Sequence, residues 1–315
     1  MFPYKNLTYS LVKLLITASI FYVIFRSIEI KKFINILQST NILYLFFSLG
    51  FLLLNLIIGF LRWDFVLIKF VQERLRYETI KLYFLAFFYN VYLPGGFLGD
   101  VVRGYKTANN ELNKTTSFIL VILDRLWGLY GIIIIGLITI LVKKINGIPQ
   151  YLEIIIYVSY LLLILFPLIF FSKSIKEIIN SNNKKGVLNL VKNFLQISNN
   201  LFKRKENIII LFSYAILTGL TNILAFYYAG KAVNIHASIV FYSQLIPFVL
   251  IVSVLPISYK GLGLRESIII TLFSYQSYNP VDSFALSIIY SINIFITGLI
   301  AGFIYGFYKY LSSNK

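Results

Sequence analysis

The chain has 315 residues, 58% of them hydrophobic and 13% charged, where a soluble domain carries about 25% charged residues. A soluble chain this apolar could not cover its surface with polar groups, and a mean hydropathy of +0.80 agrees with a membrane protein. The net charge of +17 would point to nucleic acid on a compact polar domain. Here the basic residues lie between long apolar runs, where cytoplasmic loops carry a Lys/Arg excess, so no nucleic-acid partner is expected.

The chain has no cysteine, which excludes disulfides, thiolate metal sites and Cys nucleophiles. The single histidine, His236, leaves little for a metal cluster or a catalytic triad and is expected to cap or solvate a loop. No metal, cofactor or nucleotide-binding pattern is expected.

A helical span needs about 20 apolar residues. The first is Thr8–Phe25; Arg26, Lys31 and Lys32 follow it without a small-residue cleavage site, so it reads as a retained span. The second is Ile42–Leu61, and Arg62-Trp63 at its end reads as a snorkelling interfacial anchor. Residues 80–105 run apolar to Leu93 and then break at Pro94, Gly95, Gly96 and Gly99. Phe118–Val142 and Tyr151–Phe171 are further spans.

Residues 172–207 carry eight Lys and Arg, with Val187, Leu190, Val191, Phe194 and Leu195 at helical spacing. They fit either an interfacial amphipathic helix on an anionic leaflet or a solvated cytoplasmic linker between an N-terminal half, 1–171, and a C-terminal half, 208–315. Ile208–Ala229 is the next span. Residues 239–275 break at Pro256, Gly261 and Gly263, and Ala285–Tyr308 ends the series, with glycines that permit close helix packing.

The expected fold is therefore an all-α integral membrane protein: a polytopic helical bundle with about six full spans and two Pro/Gly-broken re-entrant hairpins, 80–105 and 239–275. Both breaks share a Leu-Pro, a glycine five residues after the proline, and an acid and a base opening the next apolar segment. The positive-inside rule places both termini in the cytoplasm of a cell-membrane protein and brings the hairpins in from opposite faces, as an inverted repeat would.

An ionisable side chain at membrane depth costs about 2.5–3.5 kcal/mol on insertion scales and so needs a partner or a cavity. The set is Asp100, Arg103, Asp124, Arg125, Lys260, Arg265 and Glu266. Asp100 and Arg103 can share a helix face, whereas Asp124 and Arg125 are adjacent and cannot face each other. One of the latter two is expected to reach the first break. The set can be read as an internal salt-bridge network that holds irregular backbone. It can also be read as an anion site, in which Arg103, Arg265, Arg125 and Lys260 and the helix N-termini after Gly99 and Gly263 receive a lipid phosphate. Asp100, Asp124 and Glu266 are then charge partners.

The stretch Asn90–Arg103, the pair Asp124-Arg125, and the stretch from Leu255-Pro256 through Gly261 to Glu266 together resemble the lysylphosphatidylglycerol synthase transmembrane family, a flippase-like membrane region. The resemblance covers nearly the whole chain. It implies a polytopic protein with two re-entrant elements that moves a phospholipid or a polyprenyl-linked lipid between leaflets. Members that synthesise aminoacyl lipids add a soluble catalytic domain after this region. The chain ends seven residues after its last expected span, so enzymatic activity is not expected. The expected function is lipid translocation, with a membrane lipid as substrate. The alternative is a non-transporting partner that binds lipid or lipid-linked sugar for a separate synthase or glycosyltransferase.

Overall fold

The computed structural model describes residues 5–71, 76–93, 96–108, 112–145, 147–170, 187–254, 257–258 and 261–313. Among them every regular element is a helix. In chain order these are α1 (Lys5–Ser27), α2 (Ile30–Gln38), α3 (Ile42–Ile68), α4 (Arg76–Tyr92), α5 (Leu98–Thr107) and α6 (Lys114–Val142), then α7 (Gln150–Phe170), α8 (Val187–Phe202), α9 (Lys205–Ala232), α10 (Ile239–Val254), α11 (Leu264–Ser274) and α12 (Pro280–Ser313).

Asparagine starts three of the longest helices. Asn41 accepts from the backbone N–H of Leu43 at 3.0 Å, Asn113 from Thr116 at 2.8 Å and Asn279 from Val281 at 2.9 Å. Each thereby satisfies an orphan donor where an apolar run begins. Four helices, α3, α6, α9 and α12, are long and apolar enough to cross a bilayer, with mean hydropathies of 2.0 to 2.3. They contain the expected spans Ile42–Leu61, Phe118–Val142, Ile208–Ala229 and Ala285–Tyr308. The other two expected spans, Thr8–Phe25 and Tyr151–Phe171, fall in α1 and, as far as Phe170, in α7, Phe171 lying outside the described residues; their apolar stretches with described side chains, Leu15–Ser27 and Gln150–Leu165, are shorter.

Helix α9 is the hub of the bundle and packs against α3, α6 and α12. Its crossing with α6 is close because Gly131 and Gly219 meet there. A Cβ on Gly131 would overlap the Ala215 backbone, and one on Gly219 would lie 2.8 Å from the Ile132 nitrogen. Small residues let helix backbones approach where lipid offers no hydrophobic drive for association. Gly302 of α12 similarly gives room to the Phe88 ring of α4, the packing role expected of the C-terminal glycines, whereas Gly306 faces open space.

Two pairs of shorter helices complete the bundle. Helices α4 (17 residues) and α5 (10 residues) pack on each other across the first break, and α10 (16 residues) and α11 (11 residues) do so across the second. Pro94, Gly95, Leu255, Pro256 and Lys260 lie outside the described residues. Gly261 and Gly263 have φ of +72° and +83°, a region open to glycine and strained for other residues. Gly263 caps α11, so the chain can turn into that helix only with glycine there.

Helix α10 is held by an inserted hydroxyl. Tyr160 of α7 donates to the Gln244 carbonyl at 2.7 Å and accepts from the Phe248 N–H at 2.9 Å. It thus replaces the i→i−4 bond between those two residues, beside Pro247. Gln244 in turn donates to the Lys143 carbonyl at 2.5 Å and the Thr139 carbonyl at 3.1 Å, tying α10 to the end of α6.

The segment 172–207 is described only from Val187 onward. There α8 buries Leu195, Ile197 and Leu201 and packs on α6 and α9. Its apolar face therefore meets the bundle. His236 is exposed in the loop between α9 and α10.

Candidate functional site

Arg62 corrects one expectation. Its helix α3 does not stop at Leu61 but runs to Ile68, so Arg62 and Trp63 are buried, at 6% and 0% exposure, and neither snorkels to an interface. Hydropathy ends the span at Leu61 because arginine is charged. The missing information was the partner, Asp124 of α6, which lies 62 residues away and neutralises that charge.

Asp124 joins three helices. Its Oδ1 accepts from Arg62 Nε at 2.8 Å, and its Oδ2 from Arg103 Nη1 of α5 at 3.1 Å. Arg103 also pairs with Asp100, one turn earlier on α5, at 3.0 Å. Asp100 is paired as well with Arg125 of α6, which donates to the Gly96 carbonyl at 3.1 Å. The order is thus Arg62, Asp124, Arg103, Asp100, Arg125. Asp124 and Arg125 do point in different directions, yet both reach α5, Asp124 to Arg103 and Arg125 to Asp100. Helix α5 can come this close to α4 because Gly99 has no side chain: a Cβ there would overlap the Ala86 carbonyl.

Arg103 is enclosed. It is 3% exposed, with its guanidinium 4.3 Å from the centre of the Trp63 ring and 5.3 Å from that of Tyr83. A cation held by two carboxylates and two aromatic faces has little left to offer a ligand, and only its Nε, itself buried, lacks a partner among the described residues. The ends of the chain of charges are different. Arg62 and Arg125 both line a cavity of about 470 Å³ that opens on one side of the bundle, where Ile122 and Val254 are exposed. Its wall includes Asn55 and Gly59 of α3, Tyr83 of α4, Thr218 and Asn222 of α9, and Leu250 and Val254 of α10. Gly128 of α6 lies against the Arg62 head, where a Cβ would be 3.0 Å from Nη1.

The second group is separate from this network. Glu266 is fully buried, and its Oε2 accepts from the Gly263 N–H at 2.6 Å. The start of α11 is therefore capped by the chain's own carboxylate. Glu266 Oε1 accepts from Arg265 at 3.1 Å and from Ser287 at 3.1 Å, and Arg265 donates to Ser291 at 2.5 Å. The Arg265 guanidinium stands 5.6 Å from the centre of the Tyr290 ring, and the Tyr290 hydroxyl donates to Asn222 on the cavity wall at 3.3 Å. Through Tyr290 the second break thus touches the same cavity, while Arg265 itself does not line it.

The sequence signal therefore found four of the five linked charges, with Arg125 among the expected anion ligands, but did not separate the cations that face the cavity from the enclosed one. Arg62, Tyr83, Asn55, Thr218 and Asn222 were missed. A usable signal existed for the polar ones: asparagine and threonine recur within apolar runs at Asn55, Thr218 and Asn222. Asn55 donates to the Thr218 carbonyl at 2.7 Å and to Thr221 at 2.9 Å, and Arg62 donates to Thr218 at 3.3 Å, so these side chains form one polar seam between α3 and α9.

A family model described as the lysylphosphatidylglycerol synthase TM region matches residues 10–302, nearly the whole chain. No curated protein and no solved structure gives a significant match. Together with the four long apolar helices, the match makes this an integral membrane protein of a kind related to lipid handling.

Proposed function

We propose a function from the premise that this chain belongs to the lysylphosphatidylglycerol synthase TM region family: it moves a phospholipid or a polyprenyl-linked lipid between the leaflets of the cell membrane. The observation that carries the proposal is the cavity among α3, α6 and α9, with Arg62 and Arg125 on its wall. A phosphate head group cannot cross hydrocarbon unaided, because charge there is costly. Two guanidiniums with spare N–H groups, set among apolar helices, offer a phosphate the bidentate partners it loses on leaving water.

Arg103 has a different role in this reading. Held by Asp100 and Asp124, it positions Arg125 and Arg62 through those carboxylates. The head group occupies the cavity while the hydrocarbon tails stay outside it. The paired short helices α4/α5 and α10/α11 act as re-entrant hairpins, and the ends of both reach the cavity: Arg125 is tied to Gly96, and Val254 lines the wall. Both termini lie in the cytoplasm with the basic loops.

The test is leaflet exchange in proteoliposomes, read by reductant quenching of a phospholipid labelled on its acyl chain. The purified protein is expected to expose the inner-leaflet label, and Arg125→Gln to slow that exposure at least about tenfold. Exchange no faster than in protein-free liposomes sinks translocation. Lipid retained by the purified protein without exchange would replace it with presentation of lipid to a separate enzyme.

A further inference from the structure

We propose that the cavity takes a net-anionic phosphodiester head group bearing hydroxyls, such as a glycerol phosphate or a sugar phosphate, and rejects a cationic, aminoacylated one; this rests on the reading of the cavity as the lipid site. The first argument is charge. Among the described residues the cavity is lined by two cations, Arg62 and Arg125, and by no Asp or Glu.

The two acids that pair with the cavity arginines, Asp124 and Asp100, are already committed. Asp124 gives one oxygen to Arg62 and the other to Arg103, and it is 2% exposed. Asp100 is 9% exposed and pairs with Arg103 and Arg125. Across this network three guanidiniums face two carboxylates, so one positive charge is left over, and its cavity-facing members are arginines. A phosphodiester neutralises that charge. An aminoacyl group esterified to the same head group would bring its ammonium in beside arginines with no carboxylate on the cavity wall to receive it, and like charges brought together in this way are rejected.

The second argument is the neutral wall. Asn55 uses its N–H groups on the Thr218 carbonyl and Thr221, which leaves its carbonyl oxygen as the group it can offer. Asn222 has the opposite arrangement: its carbonyl oxygen accepts from Tyr290, so it offers N–H. The Tyr83 hydroxyl is a third neutral group on the wall. One acceptor, one donor and a hydroxyl suit the hydroxyl groups of glycerol or a sugar, which both donate and accept. A site built to bond hydroxyls discriminates against an analogue that lacks them.

The experiment is lipid competition read by native mass spectrometry. The purified full-length protein is offered equal amounts of phosphatidylglycerol, lysyl-phosphatidylglycerol, phosphatidylmethanol and a polyprenyl phosphoryl hexose. Phosphatidylglycerol or the polyprenyl lipid is expected to be retained at least about tenfold over the lysyl lipid, and which of the two dominates identifies the source of the head group. Phosphatidylmethanol has the same charge without hydroxyls and is expected to be retained less. Asn222→Asp, which puts a carboxylate on the wall, is expected to raise retention of the lysyl lipid, an outcome that mere loss of folding cannot produce. Equal or preferred binding of the lysyl lipid by the unaltered protein overturns the charge selection, while leaflet exchange, measured separately, decides translocation. An Asn222→Asp protein that retains phosphatidylglycerol with no gain for the lysyl lipid overturns the placement of the head group in this cavity.

Discussion

Asp124 and Arg125 are neighbours on one helix, yet burial makes them do different work. Asp124 is the counter-charge of two buried arginines, so Asp124→Asn leaves both under-neutralised. Removing one partner of a buried pair costs about 3–5 kcal/mol, and a marked fall in the thermal unfolding midpoint of the detergent-solubilised protein is expected. Arg125 has a side chain 40% exposed, and its pair with Asp100 is partly solvated. Arg125→Gln is therefore expected to change the unfolding midpoint little, since exposed pairs are worth about 0–1 kcal/mol, while lowering lipid exchange. If both substitutions lower stability equally, the division between a positioning acid and a cavity-facing cation is wrong. Arg62 was hidden from sequence reasoning by its position at the end of an apolar run, where a charged residue ordinarily marks the interface.

The helices depend on contacts that their own sequences do not carry. Pro247 removes a backbone donor from α10, and the neighbouring bond between Gln244 and Phe248 is replaced by the Tyr160 hydroxyl. Tyr160→Phe takes away a donor and an acceptor at once. A loss of about 1–3 kcal/mol is expected, with faster amide exchange at Phe248 than at residues one turn earlier. Unchanged protection there would mean that α10 closes its own bond. Gly99 sets the depth of α5 in the same indirect way. Gly99→Ala would push against the Ala86 carbonyl of α4, with an expected cost of about 1–3 kcal/mol from overpacking. It would also displace Asp100 from Arg125, so exchange should fall further than stability alone accounts for. The existence of α4, α5, α10 and α11 was legible from proline and glycine. The contrast between their N-termini was not: Asp100 reaches out to α6, whereas Glu266 turns back to its own cap.

At the scale of the molecule, orientation is expected to follow from loop charge. Lys203 and Arg204 lie exposed at one end of α9 and His236 at the other. The chain has no cysteine, so single Cys substitutions give an unambiguous readout. A membrane-impermeant maleimide applied to intact cells is expected to label His236→Cys and to label Lys203→Cys only after lysis. The reverse pattern would invert the whole topology and place the basic segment outside. The cavity draws its wall from α3, α4, α6, α9 and α10, which come from both halves of the chain. Neither 1–171 nor 208–315 holds the site alone.

By itself the sequence determined the class of the protein, the position of its long apolar helices, the two breaks and most of the charges at depth. These are readable because hydropathy, proline and glycine act locally, on the residues that carry them. Tertiary structure decided which of those charges are spent and which are available. Arg103 read as one of four phosphate ligands and is enclosed by Asp100, Asp124, Trp63 and Tyr83, while Arg62 read as an anchor and lines the cavity. The physical reason is that a charge buried in a membrane protein is defined by its partner, and Arg62 has its partner 62 residues away in sequence and 2.8 Å away in space.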